Sequence, residues 1–176
     1  MEPLKVYVGY DQREDIAYRV CKHSLQRHSM NVDVKPIILQ EMQEQKLIWK
    51  DPDPRASTEF TFSRFFVPYL NGFEGWALFV DCDFLFTTDI QKLFYIADDK
   101  YAMMCVQHDY KPKDGELKMD GKVQYAYPRK NWSSAMLFNC GHEKNKLLTP
   151  EFLNNQDISY LHRMSWLDDS EIGALA

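Results

Sequence analysis

The chain has 176 residues, of which 45% are hydrophobic and 14% aromatic, enough for one domain with a substantial core. Its net charge is −5 with a pI near 5.5, and no run of Lys or Arg exceeds two residues. This charge pattern argues against a nucleic-acid-binding surface. No apolar stretch approaches the roughly 20 residues of a membrane span, which leaves only peripheral membrane association open.

The N-terminus and the cysteines indicate the compartment. The first residues, MEPLKVYVGY, already have the pattern of a strand and lack the layout of a signal peptide. The four cysteines are far apart and form no CxxC pair: Cys21, Cys82, Cys105 and Cys140. They predict reduced thiols in a cytoplasmic protein rather than a disulfide framework or a zinc site.

The first elements form a predicted β-α-β unit. A strand over Lys5–Val8 precedes an amphipathic helix over Glu14–His28, and a second strand follows over Val32–Leu39. We expect the crossover connection of this unit to be right-handed. Asp11 lies three residues before Glu14, which is typical of a capping box and equally compatible with a contact to a nucleotide base or ribose. The expected buried helix face consists of Ile16, Ala17, Val20, Cys21, Ser24, Leu25 and His28.

A polar segment over Gln40–Thr58 predicts a surface loop. Helical spacing of aromatic residues returns over Glu59–Leu70, where Pro68 predicts a kink or an early end. Arg64 is the one cation among these aromatics. It fits a surface arginine whose aliphatic part packs on the protein, or one whose guanidinium holds Asp83 or a phosphate in a bidentate fork.

The next stretch, WALFVDCDFLF, predicts both the central strand and the functional site. The residues of Trp76–Val80 are all apolar without alternation, as in a strand buried on both faces of a parallel sheet. Asp81 and Asp83 follow, and an unpaired buried carboxylate costs several kcal/mol, so both need a cation, donors or water. On an extended backbone the two side chains point to the same side. Since ligands bind beyond the carboxyl ends of such strands, both carboxylates could reach one hard metal ion.

The remaining segments alternate between short helices and strands. Thr87–Phe94 predicts a capped short helix, and Tyr101–Val106 predicts a strand. The Lys-, Gly- and Pro-rich segment Lys111–Lys130 predicts a hairpin or flexible loop. Asn131–Gly141 contains small polar residues followed by an apolar strand, and small side chains before a buried strand let a ligand approach the backbone. Thr149 begins a helix as its N-cap, and no terminating element is evident before the end of the chain.

Four segments together resemble the nucleotide-sugar-dependent glycosyltransferases of the GT-A fold, and more narrowly glycosyltransferase family 8 and its relatives. In chain order they are FTFSRFFVPYL, GWALFVDCDFLFTTDIQKLF, WSSAMLFNCG and NNQDI. The resemblance covers about Tyr7 to Ser159. It implies an α/β fold with a single Rossmann-like GT-A domain over residues 1–176, in which helices flank a mixed, mostly parallel central sheet.

The resemblance also implies roles for individual residues. Asp81 and Asp83 would hold Mn²⁺ or Mg²⁺ against the two phosphates of a UDP-sugar donor, and Asp81 would also reach the ribose. The other matching positions surround the donor. They are Gly9 and Asp11 in the base-binding loop, Arg64 near the donor phosphates or sugar, Ser134 and Asn139 in the donor-sugar pocket, and Gln156 and Asp157 as the catalytic-face pair.

The implied function is metal-dependent transfer of a hexose from a UDP-sugar to a hydroxyl of a saccharide or glycolipid acceptor, in glycan or lipopolysaccharide synthesis. The resemblance to family 8 implies retention of configuration, and a front-face substitution is the expected route because no carboxylate is a convincing nucleophile and Gln156 is a poor one. An inverting alternative would use Asp168 or Asp169 as general base, although a solvated pair in a loop or helix cap is the simpler interpretation. Two rival functions stay open. One is a nucleotide-sugar-binding domain without full activity, and the other is a phosphatase or nucleotidyltransferase.

One departure from the family pattern concerns the metal. The family supplies a third ligand, a histidine near its C-terminus, within a segment that this chain lacks. His142 and His162 are candidate substitutes, whereas His23 and His28 lie on or beside a packed helix face and are expected to be structural. The chain would then be a truncated relative, or water would complete the metal shell. The sequence identifies neither the sugar nor the oligomeric state.

Overall fold

The computed structural model describes residues 2–54, 56–108 and 130–175. Its strands form one six-stranded sheet in the order β2-β1-β3-β5-β4-β6. They are β1 (Leu4–Gly9), β2 (Val32–Ile37), β3 (Trp76–Val80), β4 (Met103–His108), β5 (Lys130–Asn139) and β6 (Ile172–Leu175). The pairs β1–β2, β1–β3 and β4–β6 are parallel, while β3–β5 and β4–β5 are antiparallel. The predicted mixed, mostly parallel sheet is confirmed.

Short helices flank the sheet. In chain order they are α1 (Asp15–His28), α2 (Leu39–Glu44), α3 (Phe60–Ser63), α4 (Val67–Leu70), α5 (Gln91–Tyr95), α6 (Pro150–Asn154) and α7 (Ile158–His162). One-turn 3₁₀ helices cover Gln12–Glu14, Arg64–Phe66, Glu143–Leu147 and Asp169–Glu171. Among the helices of the described ranges, none has the length and hydropathy needed to cross a bilayer.

The core lies around β3, the third strand of six. Ala77, Leu78 and Phe79 are fully buried, which confirms the prediction of a strand covered on both faces. The buried aromatic rings of Phe65 and Phe66, next to α4, belong to the same core. None of the four cysteines forms a disulfide, and all four side chains are buried in this core.

The predicted helix over Glu59–Leu70 is broken into three pieces. The α-helical turns of α3 end at Ser63, the residues of Arg64–Phe66 form a 3₁₀ turn, and α4 begins at Val67. Pro68 stands in the first turn of α4, where its missing N–H has no intrahelical partner to lose.

The predicted loop over Gln40–Thr58 is partly wrong, because the chain forms α2 there and β2 ends earlier, at Ile37. Met42 is buried and anchors this short helix on the core. Six helical residues, of which only Leu39 and Met42 are apolar, are too few to show a period, so only tertiary packing reveals this helix.

The buried face of α1 also differs from the prediction. Tyr18, Cys21 and Leu25 are buried, but Ile16 is 78% exposed and Val20 is 49% exposed. The ring of Tyr18 packs edge-to-face on Tyr10 with centroids 5.3 Å apart, which turns this side of the helix toward the sheet. The apolar arc of α1 is therefore wider than the face that the domain covers.

The C-terminal strand β6 was not predicted. It has four residues and pairs in parallel with β4. Gly173 lies so close to Tyr101 that a Cβ there would be 2.6 Å from the ring. A short strand containing glycine has weak local preference and forms because the sheet edge offers a partner. The predicted hairpin or loop over Lys111–Lys130 lies outside the described residues, except that Lys130 begins β5.

Candidate functional site

Three strands meet at the edge of the sheet where the sequence predicts the site. Val8 of β1 pairs with Val80 of β3, so the residues after both strands emerge at the same edge. The antiparallel strand β5 starts there, and the backbone N–H of Asp81 donates to the carbonyl oxygen of Ser134 at 2.9 Å. Topology therefore brings the ends of β1 and β3 together with the predicted residue Ser134.

Arg64 is a buried cation at this edge, only 5% exposed. Its Nη1 lies 3.0 Å from Oδ1 of Asp81 and donates to the carbonyl oxygen of Ser133 at 2.8 Å. The guanidinium also lies over the rings of Phe60 and Phe79, with its carbon 5.4 and 5.1 Å from their centroids. The interpretation of Arg64 as a surface arginine is wrong, because aromatic rings and carbonyl oxygens enclose its head group.

The acidic partner of Arg64 is Asp81 rather than Asp83, which was the predicted one. The Nη1–Oδ1 contact is an ion pair outside hydrogen-bond alignment, so the buried Oδ1 receives no hydrogen bond. Burial raises the pKa of Asp81 to about 6, because the effect of Arg64 in the opposite direction is smaller and the charges of Asp83 and Glu14 add to the rise. Burial also lowers the pKa of Arg64.

Asp83 stands apart from this pair. It is exposed and makes no ion pair with any residue that the structure describes. Because β3 ends at Val80 and a turn covers residues 82–83, the expected extended backbone is not present. Cys82 points inward, and its thiol donates to Oε2 of Glu14 at 3.0 Å. The turn thus separates a half-buried, paired carboxylate from an exposed, free one.

The donor set at this edge suits a hard divalent cation. Asp83 offers two free carboxylate oxygens, and Asp81, whose side chain is 22% exposed, offers the oxygen that does not face Arg64. One or two carboxylates together with substrate phosphates are a common way of holding Mg²⁺. Within the described ranges, no group of three or more His, Cys, Asp or Glu side chains could hold a metal. Any further ligands would come from the donor or from water.

The two candidate histidines both have structural contacts. The Nδ1 atom of His162 lies 2.9 Å from the hydroxyl of Ser133, and its Nε2 lies 3.1 Å from the carbonyl oxygen of Thr61. His142 caps a 3₁₀ turn, and its Nδ1 accepts from the backbone N–H of Lys144 at 3.3 Å. The structure places neither of them as a free ligand. His162 instead links α7 to the strand that contacts Arg64.

Asp11 is fully buried at the end of β1. Its carboxylate accepts from the backbone N–H and the guanidinium of Arg13, and from the backbone N–H of Glu59 at 3.2 Å. The predicted cap is therefore present, but without the reciprocal contact of a capping box, since Glu14 contacts Cys82 instead. The hydrogen bonds from Arg13 lower the pKa of Asp11 to about 2.

The lowered pKa of Asp11 predicts a pH-dependent stability. Asp11→Asn is expected to lower the free energy of unfolding by about 1–2 kcal/mol at pH 7. This difference should persist above the ordinary pKa of 3.8 and shrink as the pH falls toward 2, because the wild-type carboxylate then becomes protonated. Urea denaturation between pH 2.5 and 7 measures it. The control Asp98→Asn removes an exposed ion pair with Lys100 and should have little effect. A pH-independent loss in Asp11→Asn would contradict the assignment.

Gly9 has a packing reason for being glycine. A Cβ at this position would lie 2.5 Å from ring atoms of Phe60, which is itself buried. Gly9→Ala is therefore expected to lower the free energy of unfolding by about 1–3 kcal/mol. Gly141→Ala is the matched control, because a Cβ there would find its nearest neighbour at 3.6 Å. Equal stabilities of the two variants in urea denaturation would refute the packing argument.

The structure does not bring Asn139 to this edge. It pairs with Trp76 at the start of β3, whereas Asp81 follows the end of that strand. Its Nδ2 donates to the carbonyl oxygen of Tyr101 at 3.2 Å. The predicted grouping of Asn139 with Ser134 does not match the sheet, because the two residues lie toward opposite ends of β5.

Gln156 and Asp157 lie between α6 and α7. Asp157 is exposed and caps α7, accepting from the backbone N–H of Ser159 at 2.7 Å. The carbonyl oxygen of Gln156 accepts from Nζ of Lys50 at 2.7 Å. Asn154 holds the same segment, since its side chain bonds four backbone groups around Leu47 to Lys50 and α6.

A cavity of about 350 Å³ adjoins the site on the side of β1. Arg13 and Glu59, which contact Asp11, form part of its lining, together with Lys50, Phe62 and Ile158. Its volume is within the usual range for small-molecule pockets, and its wall combines apolar side chains with a few charges. Lys50 connects this cavity to the backbone of Gln156.

Sequence reasoning missed Glu14, Ser133 and the positioning contact of His162. Glu14 and Ser133 were visible only as a helix residue and a small residue before a strand. Both could have been suspected once β1, β3 and β5 were taken as neighbours, because residues at the shared edge of adjacent strands meet. The contact of His162 with Ser133 spans 29 residues, and no local signal indicates it.

No protein-family model matches the chain. It is 54% identical over 175 residues to Protein CDI of Arabidopsis thaliana, and the match covers 99% of this chain and 67% of that protein. An identity of this size over nearly the whole chain shows common descent and a shared fold.

Solved structures at low sequence identity share the fold. The apo structure of the bifunctional glycosyltransferase WbbM matches with a TM-score of 0.67 and 13% identity, covering 99% of this chain but only 39% of that one. Mouse xyloside xylosyltransferase 1 matches with a TM-score of 0.58 and 12% identity, covering 98% and 85%. A 4-diphosphocytidyl-2C-methyl-D-erythritol synthase from Anaerococcus prevotii matches at 0.52 and 13%, covering 99% and 86%. The chain thus has the GT-A fold of glycosyltransferases, and it belongs to the family of Protein CDI.

Proposed function

We propose that this chain is a metal-dependent glycosyltransferase that moves a hexose from a UDP-sugar to a hydroxyl of a saccharide or glycolipid, with retention of configuration. The observation that carries the proposal is the free, exposed Asp83 beside the buried Arg64–Asp81 pair at the carboxyl end of β3. This is the edge of an open α/β sheet at which ligands bind. Roles in glycan or lipopolysaccharide synthesis, and a cytoplasmic location, belong to the same proposal.

The proposed roles follow from the charges. Asp83, with the oxygen of Asp81 that faces away from Arg64, would hold Mn²⁺ or Mg²⁺ against the diphosphate. The metal would supply Lewis-acid stabilisation of the charge that develops on the leaving diphosphate. Arg64 orients the carboxylate of Asp81. The guanidinium of Arg64 is itself fixed by its hydrogen bond to the carbonyl oxygen of Ser133 and is shielded from solvent. The nucleoside would occupy the cavity beside Asp11, with Gln156 and Asp157 toward the acceptor.

Retention is proposed through a front-face substitution. The bond from the anomeric carbon to the diphosphate oxygen breaks, the acceptor oxygen bonds to the same face, and the leaving phosphate takes the acceptor's proton. The inverting alternative would use Asp168 or Asp169 as general base. Asp168 is the N-cap of a 3₁₀ turn, and its carboxylate lies 3.9 Å from Nζ of Lys144, which favours a structural role for it. NMR of the product measures the configuration of its anomeric centre, and an inverted centre would exclude the front-face route.

The direct test is whether Mn²⁺ strengthens the binding of UDP. UDP is expected to bind at least about tenfold more tightly with Mn²⁺ than without it, because the diphosphate and two carboxylates share the ion. Isothermal titration of UDP, with CDP and ADP for comparison, measures this linkage. An affinity for UDP that is the same with and without metal would overturn the proposal.

A second candidate is a domain that binds a nucleotide-sugar without turnover. It is favoured by the lack of a third His, Cys, Asp or Glu at the candidate metal position among the described residues. Hydrolysis of UDP-sugar in the presence of Mn²⁺ separates the two, since an active transferase is expected to pass sugar slowly to water. Metal-linked UDP binding with no hydrolysis and no transfer would favour the binding domain.

A third candidate, a nucleotidyltransferase, is favoured by the fold shared with the Anaerococcus synthase. That match shows only a fold, on which several chemistries are built. Release of pyrophosphate from a nucleoside triphosphate and a sugar phosphate would support it, and saturable UDP-sugar hydrolysis would count against it. A phosphatase would instead release phosphate from a generic phosphoester.

A further inference from the structure

A groove of about 380 Å³ runs along α1 and is separate from the proposed active site. One wall is the outward side of α1, and the other is the segment Leu85–Thr87 that follows the Asp81–Asp83 turn. Leu85 is 66% exposed, and it adjoins the exposed Ile16 and Val20 of α1. Grouped exposed apolar side chains of this kind mark interaction sites more often than scattered ones do.

Hydrogen bonds to two buried serine hydroxyls hold the groove in shape. The hydroxyl of Ser24, on α1, accepts from the backbone N–H of Phe86 at 3.0 Å. The hydroxyl of Ser29 accepts from the backbone N–H of Ile90 at 3.1 Å, just beyond the groove. Both serines are buried, so the two walls are fixed to one another before any partner binds.

The outward side of α1 repeats at helical spacing. The residues on this side are spaced by four, three and four positions, and all are exposed: Ile16, Val20, His23 and Arg27. The inward side already buries Cys21 and Leu25. The apolar part of this outward side is Ile16 and Val20, which no described part of the chain covers, and an amphipathic helix of a partner can bind such a surface.

The charge of the groove is opposite to that of the whole chain. Its lining residues that carry a full charge at pH 7 within the described ranges are both basic, Arg19 and Arg27, whereas the chain has 26 acidic and 21 basic residues. Nε of Arg19 pairs with Asp15 at 2.8 Å, while Arg27 makes no ion pair with a described residue. This segregation favours a partner that carries negative charge.

We propose that this groove binds an acidic amphipathic helix of a partner protein. Apolar side chains of that helix would pack on Ile16, Val20 and Leu85, and its carboxylates would pair with Arg19 and Arg27. The concave shape fits a protruding helix better than the flat surface of a bilayer. A second copy of this chain would meet the groove with a net charge of −5 but without a described helix of that pattern to insert.

A defined peptide-display library tests the proposal. Helical peptides of 20 randomised residues are selected on the full chain and counter-selected on Val20→Glu. The enriched peptides are expected to combine a leucine stripe with Asp or Glu. Their affinity, measured by fluorescence anisotropy, should fall at least about tenfold for Val20→Glu and for Arg27→Glu. Tyr95→Glu, which alters another exposed apolar residue, is the matched control and should not change it.

Several outcomes would overturn the proposal. They are enrichment of no peptide, binders that are not acidic, and binders that lose affinity equally for Tyr95→Glu. Sedimentation with phosphatidylserine vesicles that depends on Val20 would assign the surface to a membrane instead. Dimerisation that Val20→Glu abolishes, seen by analytical ultracentrifugation, would assign it to a second copy. Since none of these residues belongs to the proposed active site, UDP binding by Val20→Glu should stay at the wild-type value.

Discussion

Asp83→Asn is expected to weaken UDP binding in the presence of Mn²⁺ by at least about 100-fold, or about 2.7 kcal/mol. The loss should exceed the cost of removing an outer-shell partner. Among the described carboxylates at the carboxyl end of β3, Asp83 is the one whose oxygens are both free. The Asn side chain keeps the size but loses the charge. Titration calorimetry of UDP with and without Mn²⁺ measures the change.

Asp99→Asn is the matched control for that experiment. Asp99 is also an exposed aspartate, but it lies at the other end of β3, where its Oδ1 accepts from Nε1 of Trp76 at 2.9 Å. It should bind UDP and metal as the wild type does. Undiminished metal-linked affinity in Asp83→Asn would place the metal elsewhere and remove the main support for the enzymatic proposal.

Arg64→Met is expected to lower the free energy of unfolding at pH 7 by about 3–5 kcal/mol. It leaves the half-buried Asp81 carboxylate without its cation, and it removes the donors to the carbonyl oxygens of Phe60 and Ser133. Urea denaturation measures the loss. Arg163→Met, at an exposed arginine, should change stability by less than about 0.5 kcal/mol.

The double variant Arg64→Met/Asp81→Asn tests where this cost arises. Neutralising Asp81 should recover part of the stability, because the unpaired charge is then gone. Lowering the pH should act in the same direction. The raised pKa of Asp81, about 6 even beside Arg64, would rise further without the cation, so the deficit of Arg64→Met should be smaller at pH 5 than at pH 7. A deficit that neither change reduces would show that the lost carbonyl contacts dominate.

Local sequence was sufficient to predict two kinds of element: a strand whose side chains are buried on both faces, and a helix start that carries its own capping residue. The apolar run of Trp76–Val80 could only be a strand covered on both faces, and Asp81 after it marked the edge where the strand surfaces. Thr149 and Pro150 specified a helix start that the structure confirms, with the Thr149 hydroxyl accepting from the backbone N–H of Phe152. The resemblance to the GT-A glycosyltransferases then predicted the mixed, mostly parallel sheet, which the structure confirms.

Only the tertiary structure decided which distant groups meet. It paired Arg64 with Asp81 rather than Asp83, placed Asn139 at the far end of β5, and left Ile16 and Val20 outside the core. The physical reason is that hydrophobic periodicity and capping depend on neighbours within a few residues, whereas ion pairs and strand register depend on contacts across tens of residues. The sequence by itself therefore determined where the candidate site lies, and the packing of the turn over Arg64–Phe66 against β3 determined which carboxylate in it is free.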